Sequence, residues 1–196
     1  MKSMKSKLLL SHLLAHSNET FFHKPHTWHM EKNKEFASMD NLFIETEYRV
    51  IEDEASEKEV TNWWNTITKD GHEGIVIKPE PFIAKSKGKL IQPAIKVRGR
   101  KYLHIIYGMD YLEQENLNRL KKRNVGKKQK LALREFALGI EGIQRFVNGE
   151  SIERVNEYMN VFLELFPWNR TQSIQDYKRN SYWEIGCLAL DLLLSV

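Results

Sequence analysis

Two short segments rich in β-branched residues place the strongest constraint on the fold of this chain. Residues 75–78 read IVIK and residues 93–99 read PAIKVRG. Both are short and bounded by glycine or proline, so we predict two strands. Successive side chains of a strand point to opposite faces. This puts Lys96 and Arg98 on one face, and Ile95 and Val97 on the other. The chain should therefore contain a sheet that carries two cations side by side.

The segments around these strands predict further elements. Residues 42–50 (LFIETEYRV) alternate in part and favour a half-buried strand, and residues 101–108 (KYLHIIYG) favour another. A helix is predicted from Ser56, with Ser56 as its N-cap and Glu59 three residues later. Its packing stripe consists of Val60, Trp63, Trp64 and Ile67.

After Gly108 the pattern becomes helical, with apolar residues three and four positions apart. Asn148 and Gly149 should end one helix, and Ser151 should cap the next, whose stripe runs to Phe166. The apolar segment 181–196 predicts a buried helix or an interface. We therefore expect an α+β fold, with a β-rich half at residues 1–110 and a C-terminal α-helical module at residues 111–196.

The composition limits the cellular compartment and the class of protein to which this chain can belong. The chain has one cysteine, Cys187, which excludes an internal disulfide framework and favours a reducing, cytoplasmic location. It has no run of about 18 apolar residues, so no membrane-spanning helix is expected. The start of the chain lacks the long apolar core of a signal peptide. A net charge of +4 mildly favours an anionic partner.

Five of the seven histidines fall between residues 8 and 30. Their spacing is irregular, aromatic residues lie between them and no cysteine is near. These features are typical of packed histidines, and we do not predict a structural metal site there.

Four charged residues lie on or beside the two predicted strands. Glu73 and Lys78 stand at the two ends of the first strand, while Lys96 and Arg98 belong to the second. A carboxylate at a strand edge can hold Mg²⁺ through water, and cations on adjacent strands can neutralise a nucleotide phosphate. From spacing alone, a solvated sheet face remains the alternative.

A run of basic residues follows in the helical part of the chain. It is interpreted either as a solvated helical face or as a contact with a phosphate backbone. Its members are Arg119, Lys121, Lys122, Arg123, Lys127, Lys128, Lys130 and Arg134.

The same segments resemble motifs of a known family. EGIVIKP at 73–79 is similar to motif IV of the covalent nucleotidyltransferases, and QPAIKVRGRKYLHIIYG at 92–108 is similar to motif V. The form of motif V resembles that of the ligase (adenylyltransferase) domain of bacterial polynucleotide kinase-phosphatase, Pnkp. LLLSHLLAHSN and HKPHTWHM resemble the segment around motif III of that family. The basic helical region and ERVNEYMNVFLEL resemble its helical module.

The resemblance implies an ATP-dependent RNA ligase used in RNA repair. Such ligases form a lysyl-AMP, transfer AMP to an RNA 5′-phosphate and seal it to a 3′-OH. It implies that Glu73 serves Mg²⁺ or Mn²⁺, that Lys78 lies beside the nucleotide, and that Lys96 contacts the AMP phosphate with Arg98 next to it. It also implies a possible docking surface for the RNA 3′-terminal 2′-O-methyltransferase.

The sequence departs from the family in one respect that matters for catalysis. The nucleophilic lysine of the superfamily stands in a K-x-D-G motif, and no such motif occurs here. Only 72 residues precede Glu73, which is too few for the first half of a ligase domain. The segment from about Thr171 also does not match the expected end of the family.

Residues 1–110 are therefore expected to form the antiparallel-sheet half of a nucleotidyltransferase fold. Three interpretations stay open: a split subunit completed by another polypeptide, a non-catalytic scaffold derived from a ligase, or a truncated product that folds poorly. A plain basic RNA-binding module is the alternative outside the resemblance. We expect no ligase activity from the isolated chain.

Overall fold

The computed structural model describes residues 7–123 and 125–157. This part of the chain mixes helices with small sheets, which confirms the α+β class. Its strands are β1 (Leu8–Leu9), β2 (Ala15–His16), β3 (Glu19–Thr20), β4 (Phe43–Ile44), β5 (Gly74–Ile77), β6 (Lys85–Ser86), β7 (Lys89–Leu90) and β8 (Ile95–Arg98). Its helices are α1 (His26–Met39), α2 (Glu54–Lys69), α3 (Arg100–Tyr107), α4 (Gln114–Lys121) and α5 (Val125–Val147).

The strands pair two by two. The pairs β2–β3, β5–β8 and β6–β7 are antiparallel, and β1–β4 is parallel. The chain divides into two compact units, each built from separate stretches of sequence. Within the described residues, unit 1 comprises 7–46, 79–93 and 126–157, and unit 2 comprises 47–78 and 94–125, with 124 excepted. The expected division at residue 110 remains a prediction.

Unit 1 has an aromatic core. Leu14, Phe22, Phe82 and Phe136 are buried together, and partly buried isoleucines of α5 pack against them. Phe82 lies 5.6 Å from Phe22 and 5.7 Å from Phe136, between ring centroids. The core therefore joins the segment after β3, the segment before β6, and α5.

Three of the clustered histidines belong to this core. The rings of His12, His26 and His29 are buried, and each lies 5.3 to 5.4 Å from the ring of Phe82. His26 stacks on Phe82 at an interplanar angle of 19°. Within the described ranges, no group of three His, Cys, Asp or Glu residues has the geometry to hold a metal ion. The histidines pack as aromatic core residues.

Unit 2 is built on α2 and the β5–β8 pair. The indole Nε1 of Trp64 on α2 donates a hydrogen bond of 2.9 Å to the carbonyl oxygen of Val97 on β8. Gly99 follows β8 against Thr68, where an added Cβ would lie 2.6 Å from the Cβ of Thr68. The lack of a side chain at Gly99 thus allows close packing of the end of β8 on α2.

The start of α2 differs from the prediction. Asp53 is the N-cap, and its side chain accepts a hydrogen bond of 2.8 Å from the backbone N–H of Ser56. The Ser56 hydroxyl in turn accepts from the backbone N–H of Asp53, which completes a capping box. Hydrogen bonds that the Asp53 carboxylate accepts from the backbone N–H and the hydroxyl of Ser56 hold the pKa of Asp53 below its usual value. The helix starts earlier because aspartate caps as well as serine, and Ser56 supports it from the third position.

Two strand predictions need correction. Residues 101–107 are helical in α3, because Tyr102, Leu103, Ile106 and Tyr107 follow helical spacing and the extended Gly99 acts as N-cap. Of residues 42–50, only Phe43–Ile44 form a strand. The polar residues that follow have no ladder partner among the described residues, although their alternation suits a strand.

The predictions near the C-terminus fall within the described residues only as far as residue 157. Gly149 has a φ of +74°, and α5 ends two residues before it, as predicted. Residues 152–157 are helical after Ser151. The rest of that stripe and the segment 181–196 lie outside the described residues. In the described part of the chain, no helix combines the length and apolar character needed to cross a membrane.

Candidate functional site

The charged residues selected from the sequence gather around the β5–β8 pair of unit 2. In its antiparallel register, Gly74 lies opposite Arg98 and Val76 lies opposite Lys96. Directly opposed residues share a face of a sheet, so Lys96 and Arg98 lie on one face with these two residues. The prediction of two cations on one strand face is therefore consistent with the register. Glu73 immediately precedes β5, and Lys78 immediately follows it.

Glu73 and Arg98 form an ion pair. The Nε and Nη2 atoms of Arg98 each lie 2.9 Å from Oε1 of Glu73. The Arg98 side chain is only 10% exposed, whereas that of Glu73 is 48% exposed. The guanidinium also lies over the ring of Tyr102, 5.0 Å from its centroid. Arg98 is therefore fixed by two neighbours, and it fixes one oxygen of the carboxylate.

Gly74 makes the close approach of the two strands possible. Its φ is +138°, a conformation that residues with side chains rarely adopt. A Cβ at this position would lie 2.1 Å from the carbonyl oxygen of Val97. The backbone N–H of Gly99 donates a hydrogen bond of 2.8 Å to the carbonyl oxygen of Glu73, which continues the pairing past the strand ends. The glycine after Glu73 is therefore required by the backbone that positions the carboxylate.

The two lysines extend the basic surface away from this ion pair. Lys78 and Lys96 are both half-buried. At about 3.3 Å per residue, the Cα atoms of Glu73 and Lys78 are on the order of 16 Å apart along the strand. Together the four residues carry a formal charge of +2, which favours an anionic ligand along the strand. The structure thus places Glu73 beside Arg98, with Lys78 at the far end of β5.

A metal ion at this site would need ligands from a bound nucleotide as well as from the protein. Glu73 supplies one carboxylate, and the described residues contain no group of three or more His, Cys, Asp or Glu that could hold a metal ion. Mg²⁺ commonly binds through one or two carboxylates together with substrate phosphates and water. The donor set therefore fits a divalent ion that is shared with a nucleotide phosphate, held by Glu73.

Sequence reasoning missed two residues that support this site. Tyr102 packs on the Arg98 guanidinium, and Trp64 binds the backbone of β8. Arg98 ends β8 and Tyr102 lies in the first turn of α3, so their contact depends on the strand-to-helix turn at Gly99, which the sequence did not reveal. The contact of Trp64 with Val97 joins residues 33 positions apart, and no local pattern indicates it.

A comparison with models of protein families finds a match. A family model described as the PNKP adenylyltransferase domain, ligase domain, matches residues 4–167. No curated protein matches the sequence. The match includes both strands of the site and most of the helical region, which is well over half of the chain. The chain therefore belongs to the PNKP adenylyltransferase, ligase-domain family.

Proposed function

We propose that this chain supplies nucleotide-phosphate and metal contacts to a Pnkp-type ATP-dependent RNA ligase that repairs broken RNA, as the C-terminal part or a split subunit of that enzyme. The observation that carries the proposal is the β5–β8 register. It puts Lys96 and Arg98 of β8 on one face of the sheet. β8 pairs with β5, the strand that Glu73 and Lys78 flank. Membership of the ligase-domain family supports the same conclusion.

Each residue has a defined task in this proposal. Lys96 and Lys78 bind the phosphates of ATP or AMP and offset the charge that develops on phosphorus. Glu73 holds Mg²⁺ or Mn²⁺ through water, against the nucleotide phosphates. Arg98 positions Glu73 through the ion pair at Oε1. A divalent ion held by Glu73 would supply positive charge to stabilise the departing pyrophosphate.

The nucleophile comes from polypeptide outside these 196 residues, because they contain no K-x-D-G motif. Its lysine Nζ bonds to the α-phosphorus of ATP, and pyrophosphate leaves. The AMP then passes to an RNA 5′-phosphate, and attack by the 3′-OH of the second end releases AMP. The residues of β5 and β8 bind the phosphate that is common to these steps.

Exposed apolar residues on the same sheet support a role for further polypeptide. Ile77 and Ile95 lie opposite each other on the face away from Lys96 and Arg98, and they are 40% and 59% exposed. A pair of strands is marginally stable alone and normally gains stability from packing or from more strands. The missing half of the ligase fold is the covering segment that fits these residues.

Calorimetry with ATP and AMP tests the proposal. In the presence of Mg²⁺ the wild-type chain should bind AMP, and Lys96→Ala should weaken that binding at least about tenfold, as expected for loss of a charged contact. Lys58→Ala, at an exposed position of α2, is the matched control and should bind like the wild type. Equal binding by the Lys96 and Lys58 variants would reject a phosphate contact at Lys96.

A non-catalytic scaffold or RNA-binding module is the second candidate. Its support is the pair of exposed lysines at the end of α4, Lys121 and Lys122. Such a module would bind RNA with a steep salt dependence that survives Lys96→Ala and Glu73→Ala. It would also leave the helical region available to a protein partner such as the RNA 3′-terminal 2′-O-methyltransferase.

A further inference from the structure

Unit 1 contains a cavity of about 560 Å³ that the proposed nucleotide site does not use. Three segments form it: the chain after β3, the residues that precede β6, and α5. Phe22 and Phe82 contribute apolar surface, and Pro25 and Pro81 lie beside them. This volume is in the range of sites that hold small planar ligands.

Hydrogen bonds hold the walls of this cavity in place. Thr20 donates a hydrogen bond of 2.6 Å from its hydroxyl to Oε1 of Gln144, which joins β3 to α5. The backbone N–H of His26 donates 2.8 Å to the carbonyl oxygen of Glu80, and the Thr27 hydroxyl donates to its carboxylate. The cavity is thus formed by residues that are fixed before a ligand arrives.

The polar groups of the lining indicate the chemistry of a ligand. Glu80 and Gln144 present side-chain oxygens, and Thr20 has a hydroxyl oxygen that can accept a further hydrogen bond. Among the described residues, the lining includes His23 but no lysine or arginine, and the carboxylate of Glu80 disfavours a phosphate. Apolar walls with several acceptors suit a flat ring that carries amino hydrogens.

A basic hairpin begins two residues after Ile83 of the lining. It consists of β6 and β7, and Lys85, Lys87 and Lys89 are all exposed on it. Lys87 and Gly88 have φ values of +50° and +74°, which make the tight turn between the strands. Exposed lysines on a rigid turn are suited to phosphates in water.

We propose that unit 1 binds single-stranded RNA, with an unstacked base that carries an amino group in the cavity and its flanking phosphates on the lysines of the hairpin. Adenine and cytosine carry such an amino group, and uracil does not. Recognition of unstacked bases together with backbone phosphates is a common mode of RNA binding. The inference rests on the proposed function insofar as RNA is the substrate.

Fluorescence anisotropy with labelled hexaadenylate and hexauridylate tests the cavity on the full chain. The wild type should bind hexaadenylate at least severalfold more tightly. Glu80→Gln should bring the two affinities together, because it replaces one acceptor oxygen by a donor and keeps the size of the side chain. Glu19→Gln, an exposed residue of β3 with the same charge change, should keep the preference. Retention of the preference in a folded Glu80→Gln variant, or its absence from the wild type, would overturn the proposal.

The hairpin is tested by the salt dependence of binding. Lys85→Gln/Lys87→Gln should weaken both oligonucleotides alike and reduce the slope of log K against log salt by about 1.4, at about 0.7 per phosphate contact. The double variant Lys58→Gln/Lys69→Gln removes the same charge from unit 2 and should leave the slope nearly unchanged. Equal slopes in the two double variants would overturn the hairpin contact.

Nucleotide calorimetry separates this proposal from the proposed function. A chain that discriminates between the oligonucleotides but does not bind AMP would support the RNA site and reject the nucleotide site. A chain that binds AMP through Lys96 but shows no dependence on Glu80 would reject the RNA site alone.

Discussion

At the scale of single residues, the site depends on Gly74. Its φ of +138° and the 2.1 Å between an added Cβ and the Val97 oxygen leave no space for a side chain. Glu73, directly before it, pairs with Arg98 across the strand ends. The carboxylate is thus placed by a backbone conformation that glycine alone adopts without strain.

Gly74→Ala should therefore destabilise the protein by roughly 1–3 kcal/mol from backbone strain, and by more from the contact with Val97. The free energy of unfolding in urea, followed by tryptophan fluorescence, measures this loss. Gly71→Ala is a matched control, because Gly71 also has a positive φ of +99° but no atom lies within 4 Å of its Cβ position. Equal losses in the two variants would show that the close approach does not matter.

The sequence predicted the identity of the charged residues better than their partners. Alternation in β8 was enough to put Lys96 and Arg98 on one face. The ion pair of Arg98 with Glu73 depends on the register with β5, and Arg98 as a direct phosphate contact stays a prediction. Register is set by the turn, the backbone approach and packing, which a pattern of single residues does not contain.

At the scale of elements, α5 carries a buried acidic residue that neither the strand site nor the RNA proposal uses. Glu135 is 3% exposed, and its Oε1 accepts no hydrogen bond from the described residues. Burial raises the pKa of Glu135 from 4.5 to about 7. Between these values the folded protein keeps a proton that the unfolded chain loses.

The stability of the protein should therefore fall as the pH rises from 4.5 to 7, since the folded state binds more protons in this window. Glu135→Gln keeps the size of the side chain and removes the charge. It should be more stable than the wild type at pH 8, by up to about 3 kcal/mol, and about equal at pH 4.5. Thermal unfolding at several pH values measures the difference.

Glu157→Gln is the control for this experiment, because Glu157 is exposed. Its difference from the wild type should not change with pH as that of Glu135→Gln does. A Glu135→Gln difference that is the same at pH 4.5 and pH 8 would mean that the burial of Glu135 does not perturb its titration.

The element α3 shows how local patterns can mislead. Residues 101–108 contain two adjacent isoleucines and two tyrosines, which favour a strand by composition. In the structure an extended Gly99 begins a helix, and the backbone N–H of Leu103 donates to the carbonyl oxygen of Gly99 at 3.0 Å. In sequence, a glycine that joins a strand to a helix looks the same as one that separates two strands.

At the scale of the whole molecule, the chain belongs to a ligase-domain family, but its 196 residues contain no K-x-D-G motif for the nucleophilic lysine. The phosphate contacts proposed for Lys78 and Lys96 do not by themselves form a lysyl-AMP. We therefore expect that the isolated chain, incubated with α-labelled ATP and Mg²⁺, acquires no covalent label. Labelled protein that survives denaturing electrophoresis would show that another lysine of this chain acts as the nucleophile.

The control for this experiment is a polypeptide that contains the K-x-D-G half of a Pnkp-type ligase domain. Added to the wild-type chain, it should become labelled more strongly than it does alone. Added to Lys96→Ala, it should show a smaller gain. A gain of equal size with both chains would leave Lys96 without a role in adenylation.

The sequence by itself determined the α+β class, the presence of strands near 75–78 and 93–99, the shared face of Lys96 and Arg98, and the family. Strand alternation and motif spacing are local, so they can be read along the chain. The tertiary structure alone decided the Glu73–Arg98 pair, the support from Trp64 and the histidine cluster around Phe82. These contacts join residues far apart in sequence, and their formation depends on the register of strands and the packing of rings, which no local pattern specifies.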